Sequence, residues 1–338
     1  MLEIVPVHGI GEVMPGDDLA VLIAEAAPWL RDGDVLVVTS KIVSKAEGRL
    51  VEVPPAGPDR DQARFDVIGT ETARLVASRG ETRIVATHHG FVMASAGVDA
   101  SNVDSSYLVL LPKDPDASAR ALRAGLAERL GVRVAVVVSD TMGRPWRNGL
   151  TDVALGAAGI APLRDHRGET DPYGNRLELT EVAVVDELSA AAELVKGKRD
   201  QVPVAVVRGM RHPIDGDGPG VVATLVRDAA HDMFSLGTAE ARAAGLRAAA
   251  NLPDHRGPAE PAAVRRALET VTVEAAVELV EEPAVVRCTA ADPADPAALV
   301  RLGADAHRLR AALAAEGVGS APLFEPPATV LLLLQPLP

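Results

Sequence analysis

Aromatic residues are nearly missing from this 338-residue chain: two tryptophans, two tyrosines and four phenylalanines make up 2% of it. Its core must therefore be built from Val, Leu, Ile and Ala, and 48% hydrophobic residues are enough to build a large one. Cysteine is scarcer still. The single thiol, Cys288, excludes an intramolecular disulfide and a zinc ribbon, and it suits a reducing compartment. Positive charge is in deficit, with 34 Lys and Arg against 47 Asp and Glu and a net charge of −13. That balance argues against general nucleic-acid binding, which needs a basic surface. It leaves room for a local basic pocket facing a small anion. No apolar run reaches the ~20 residues of a membrane helix. The segment TVLLLLQPLP at 329–338 is too short and reads as a strand. The start, MLEIVPVHG, has no basic stretch leading into an apolar one, so no signal peptide and a cytoplasmic chain are expected.

What is present is an alternation of strands and helices. LEIVPV at 2–7 reads as a strand, and 17–31 as a helix capped by Asp17 or Asp18. DVLVVTS at 34–40 is the next strand. Asp116 is placed to cap a helix carrying Leu122, Leu126 and Leu130, with VRVAVVVSD at 132–140 after it. A third pair runs from TEVAVVDELSAAAELVKGK into VPVAVVRGM at 202–210. The unbroken β-branched runs predict strands buried on both faces. TRIVATHHGFVMASAG at 82–97 reads as two strands around a turn at Gly90. The class is α/β, mixed α+β, with mixed sheets. A turn-rich NLPDHRGPAEP at 251–261 places a boundary near 248, giving domains 1–248 and 249–338. The second is expected to hold helices at 262–280 and 297–315, a strand near VVRCTA and the final strand.

Three apolar strands turn polar at their C-terminal ends: TSKIVSK at 39–45, SDTMGR at 139–144 and VRGM at 207–210. Ligands in α/β sheets collect at such ends. Together they offer Lys41, Lys45, Arg144, Arg147 and Arg208 to an anion, although each alone is equally a surface turn with solvated charges. Asp140 and Thr141 are a carboxylate and hydroxyl of the kind Mg²⁺ and Mn²⁺ take alongside phosphates. Asp99 in AGVDASN, with Asn102 beyond it, has the same character, or is a turn with an Asx hydrogen bond. The Asp140 acid and the two nearby guanidiniums could equally neutralise one another. HGIGEVMPG begins like G-x-G but has Met14 where the third glycine belongs, and G-x-x-x-x-G-K-[ST] is absent. Trp146 is either a stacking platform or a packing anchor for its loop. Cys288 reads as a buried structural thiol.

VHGIGEVMPGDDLA, GDVLVVTSKIVSKAEGR, AGVDASNV, SDTMGRPWRNGLTDVALGAAGI, DPYGN and VVRGM, in this order, resemble the coenzyme F-420 γ-glutamyl ligase family over about residues 1–245. The nearest likeness is to the N-terminal half of the two-domain actinobacterial form, whose other half is a flavin-binding, nitroreductase-like domain. The resemblance implies a mixed-sheet fold that is not a Rossmann domain, and a homodimer. It implies joining of L-glutamate to a deazaflavin phospholactate with GTP and a divalent metal, Mg²⁺ or Mn²⁺, with K⁺ as an optional monovalent companion. Ile10, Gly11, Glu12, Val13, Ser40, Lys45 and Asn102 would contact GTP. Asp99 and Asp140 would hold one metal and Thr141 would belong to a second. Arg208 and Gly209 match only in general placement. Chemistry adds Arg144 and Arg147, beside Asp140, as bidentate clamps on phosphate or carboxylate. RLRAALAAEGVGSAPLF at 308–324 resembles part of the nitroreductase-like half, but about 90 residues are too few for that domain. A shortened remnant without flavin is expected. Two other readings stay open, a non-catalytic nucleotide-binding or assembly protein that kept the fold, and a metal-dependent phosphohydrolase.

Overall fold

A computed structural model describes residues 1–197, 200–210, 218–280 and 284–336. Residue 198 of the expected third helix and the last two residues of TVLLLLQPLP lie outside them. The chain divides into two compact units, residues 1–237 and 238–338. The division precedes the helix Thr238–Ala250, which contains residue 248.

The first unit is organised by a five-stranded mixed sheet. Its elements are β1 (Glu3–Val7), α1 (Leu19–Ala26), β2 (Val35–Thr39), α2 (Ser40–Ala46), α3 (Pro115–Leu130), β3 (Ala135–Arg144), β4 (Arg147–Ala158), α4 (Val184–Lys196) and β5 (Val204–Arg208). The strand order is β1–β5–β2–β3–β4. Only β2 and β3 run parallel, and the other neighbours are antiparallel. This is a mixed α/β arrangement, not a doubly wound Rossmann sheet.

The β-branched runs are buried on both faces, as their composition dictates. Leu36, Val38, Val136 and Val138 meet Ile23 of α1 and Leu122 and Leu126 of α3 on one face. Val35, Val37, Ala135 and Val137 meet Val185 and Leu188 of α4 on the other. Period-two alternation along each strand sorts the side chains between these layers.

Helix ends decide one expectation and correct two. Asp18 caps α1, accepting from the Ala20 and Val21 N–H groups. The helix stops at Ala26 rather than near 31, because Ala27 precedes Pro28 and sits at φ −131°, ψ 57°. The cap of α3 is Asp114, not Asp116. Asp116 is turned inward, its Oδ1 accepting from the Ala157 and Val221 N–H groups.

The stretch 139–149 also departs from expectation. It is not a strand end followed by a loop: β3 continues to Arg144 and turns back at once into β4. The chain at 82–94 does pair as expected, with Gly90 at φ +99°, and Thr72–Arg79 adds a third strand.

The second unit has its own core. Four antiparallel strands, in the order Ala276–Val280, Val285–Thr289, Thr329–Leu333, Ala321–Glu325, pack with the helices Pro261–Thr270 and Pro296–Ala315. The helix expected over 262–280 ends at Thr270, and the rest of that apolar run is loop and strand. Cys288 lies fully buried among these elements, and burial pushes its thiol up to about 11. It is the inert structural thiol its sequence context indicates.

Candidate functional site

Two of the three polar strand ends converge. Because β2 and β3 are parallel, Thr39 and Ser139 lie side by side and both chains turn polar at the same edge. α2 begins directly after β2, and its four-residue spacing puts Lys41 and Lys45 on one face. Lys41 Nζ lies 2.6 Å from Asp99 Oδ2 and donates to the Ser101 carbonyl and hydroxyl, each at 2.8 Å. Lys45 is only 6% exposed. Its ammonium joins two loops, lying 2.6 Å from Glu12 Oε1 and donating to the Asn102 carbonyl at 3.0 Å. Asn102 holds a left-handed φ of +54°, which turns that carbonyl inward.

The loop carrying Asp99 is anchored by backbone pairing with Val109 in both directions. The loop carrying Ile10, Gly11, Glu12 and Val13 follows β1. Val13 is buried in the core with Ile10 packed against it, while Gly11 has open space around it. The Gly16 N–H, donating to the Ala46 carbonyl, ties this loop to the end of α2.

Ser40, Lys41, Ser44, Asp99 and Asp140 line a narrow cleft between α2, the Asp99 loop and the end of β3. Ser44 Oγ is buried there without a hydrogen-bond partner among the described residues. Burial is the main reason that Asp140 is pushed up to about 7. The carboxylates of Asp152 and Asp99 add to it, against the Thr141 N–H and Lys41. Burial also works against ionisation of Asp99, but hydrogen bonds from Lys41 and Ser101 outweigh it and hold that carboxyl below its ordinary range. The cleft thus holds two hard oxygen donors, one of which lacks sufficient positive charge nearby. Its orphaned hydroxyl and its acid–hydroxyl chemistry fit a hard divalent cation accompanied by phosphate oxygens. Among the described residues no group of three or more His, Cys, Asp or Glu could hold a metal without such help.

Thr141 projects from the face of β3 opposite Asp140. Its hydroxyl donates to Asp152 Oδ1 at 2.9 Å. Asp152, on β4, is 3% exposed and ion-paired at 2.8 Å with Lys196 of α4. Sequence reading missed both residues. The available signal was an acid inside the apolar strand LTDVALGAA, since a buried acid requires a partner.

The remaining candidates lie elsewhere. Arg144 and Arg147 pair across the exposed tip of the β3–β4 hairpin. Arg144 donates to the Asn148 carbonyl at 3.3 Å, and the tip is about 13 Å along the strand from Asp140. Trp146 is 80% exposed and meets Phe234 edge-on at 4.5 Å. Arg208 and Gly209 are not brought to the cleft. β5 runs antiparallel to β2, so its C-terminal end lies at the opposite edge of the sheet. There Arg208 forms a bidentate pair with buried Asp34, at 2.7 and 2.6 Å. A side chain at Gly209 would collide with the Met1 carbonyl.

Comparison with known proteins attaches a family to this arrangement. Residues 9–209 match the family model described as F420-0:Gamma-glutamyl ligase. The chain belongs to that family. The matched span carries every residue of the cleft and both members of the Asp152–Lys196 pair. A ligase-family relative from Methanopyrus kandleri, Coenzyme F420:L-glutamate ligase, is 41% identical over 246 residues, which are 69% of this chain and 97% of the relative. The protein of that name from Methanothermobacter thermautotrophicus is 41% identical over 224 residues, 62% of this chain and 89% of its own. The Halobacterium salinarum protein is 46% identical over 220 residues, 60% of this chain and 85% of its own. The second structural unit lies beyond the matched span.

Proposed function

We propose that the chain joins L-glutamate to coenzyme F420-0 in F420 biosynthesis, using GTP and a divalent cation. Family membership supports the ligation. The observation that carries the mechanistic reading is the cleft itself, with the half-buried Asp140 carboxylate beside Asp99 and the paired lysines of α2.

Amide formation from a carboxylate needs an activated acyl group. In this reading the substrate carboxylate attacks the γ-phosphorus of GTP, and GDP leaves. The glutamate amine then attacks the acyl carbon and loses a proton, and inorganic phosphate departs with one former carboxylate oxygen. Triphosphate, phosphodiester and two carboxylate-bearing partners must meet, so the site's task is to offset like charge. Asp99 and Asp140 would hold the cation; the Thr141 hydroxyl, turned to the other face of β3 and donating to Asp152, would support the strand rather than ligate a second ion. Bound there, it would supply Lewis-acid neutralisation of the phosphate oxygens. Lys45 would exchange Glu12 for a phosphate oxygen, and Lys41 would follow the charge on Asp99. Ser40 and Ser44 would offer hydroxyls. The loop 10–13 and the Asn102 turn would close on the nucleotide. A homodimer and a cytoplasmic setting are part of the same proposal.

The test is isotopic. With ¹⁸O in the acceptor carboxylate of the deazaflavin, one ¹⁸O should appear in the phosphate released for each amide formed. Phosphate free of label, or GTP consumed equally without glutamate, would overturn the acyl-phosphate route and favour a phosphohydrolase.

A further inference from the structure

Asp140 is held from both sides. Its neighbours Ser139 and Thr141 lie on the opposite face of β3, and both donate to one carboxylate. Ser139 Oγ reaches Asp152 Oδ2 and Thr141 Oγ1 reaches Asp152 Oδ1, each at 2.9 Å. Lys196 Nζ closes the network, at 2.8 Å from Asp152 Oδ2 and 2.9 Å from Ser139 Oγ. Ser139 is fully buried, and Asp152 and Lys196 are 3% and 2% exposed.

The register explains how one acid reaches two hydroxyls. Ser139 pairs with Ala154 but Val138 pairs with Gly156, so Leu155 is an extra residue on β4. This bulge brings Thr141 directly opposite Asp152. All three acceptor contacts of Asp152 are therefore spent inside the protein, and it is not itself a cation ligand. Its role is exerted through its neighbours.

Stability alone is a poor reason for such a group. Two charges withdrawn from water roughly cancel their own attraction, and apolar residues of similar volume often serve the fold as well or better. What the pair does supply is direction. With residues 139 and 141 pinned on one face, the side chain between them must project to the other, where Asp99 and Lys41 line the cleft. We propose that Asp152 and Lys196 are positioning residues, whose ion pair locks Ser139 and Thr141 and thereby aims the Asp140 carboxylate into the cation site. The inference rests on the reading of Asp99 and Asp140 as cation ligands.

The test is Mn²⁺ binding to the full chain, followed by the electron paramagnetic resonance of free Mn²⁺, with circular dichroism to verify folding. Two double variants keep the net charge of the pair at zero. Asp152→Leu/Lys196→Met removes its hydrogen bonds, and Asp152→Asn/Lys196→Gln retains donors and acceptors. The apolar pair should bind Mn²⁺ about 10- to 100-fold more weakly, and the amide pair should stay within about 3-fold of the natural protein. Equal, undiminished binding by both would overturn the proposal, because charge is constant and only positioning differs. Ser139→Ala leaves the ion pair in place and serves if the apolar pair does not fold; an affinity unchanged in Ser139→Ala would also overturn it. Failure of the natural protein to bind Mn²⁺ would instead overturn the cation reading, and this inference with it. Loss of binding in Asp140→Asn alone, with both pair variants normal, would keep the cation reading and discard the positioning one.

Discussion

Asp140 and Lys45 place opposite demands on the fold. Asp140 is a carboxyl whose ionisation the folded protein resists, its value raised from 3.8 to about 7 mainly by burial. A carboxyl raised in this way binds more protons folded than unfolded. In metal-free protein its contribution to stability is therefore complete below about pH 4 and is lost as pH rises through about 7. Asp140→Asn should flatten that decline in a series of melting temperatures and should not lower the melting temperature at pH 7. Glutamate addition should nonetheless fall by about 100-fold or more, as for loss of one preorganised electrostatic group. Normal turnover would remove Asp140 from the chemistry. Lys45 is the converse case, a buried ammonium whose acid partner, Glu12, is 71% exposed. Water screens the attraction at the Glu12 end, and a methionine can fill the volume of the lysine stem. Lys45→Met should therefore shift the melting temperature by a few degrees at most and raise the KM for GTP about 10-fold. A large loss of stability with an unchanged KM would make the lysine a loop tie alone.

At the scale of elements, what was legible followed from local pattern. The strands rich in valine, a cap at Asp17 or Asp18, the turn at Gly90 and the adjacency of Lys41 to Lys45 all announce themselves within a few residues. What was not legible depends on direction or distance. VRGM resembles the other polar strand ends, but β5 is antiparallel to β2, and strand direction is a property of topology rather than of the five residues in the strand. MGRPWRNG has the glycine, proline and asparagine of a loop. It instead forms a hairpin whose tip carries both arginines, with Trp146 at φ +57°. The run after Thr270 is apolar enough for a helix, and pairing with Val285–Thr289 makes its end a strand. Asp152 finds Lys196 only across 44 residues of sequence. Close packing between elements yields a sharper prediction. An added Cβ at Gly156 of β4 would lie 2.2 Å from the Pro115 backbone carbon at the start of α3. Backbone cannot yield as a flexible side chain can. Gly156→Ala should destabilise the first unit by about 3 kcal/mol or more, read as a drop in the denaturation midpoint. A neutral effect would mean that α3 sits further from the sheet.

For the whole molecule, the division between 237 and 238 matters more than chain length. Every cleft residue and the positioning pair lie in the first unit, which has its own two-layered core. The second unit is organised around Cys288, Leu309, Leu313 and Leu332. A chain ending at Gly237 should therefore fold and retain glutamate ligation per folded molecule, and the full-length protein should purify without flavin colour. A folded but inactive truncation, or a yellow full-length protein releasing flavin, would contradict that division. The measurement that decides most directly is mass spectrometry of the deazaflavin after incubation with GTP, a divalent cation and L-glutamate, each omitted in turn. Glutamyl-extended product should appear only when all three are present, with one GDP formed per amide bond. GTP hydrolysis at full rate without glutamate, or an unextended deazaflavin in the complete mixture, would contradict a GTP-dependent glutamate ligase.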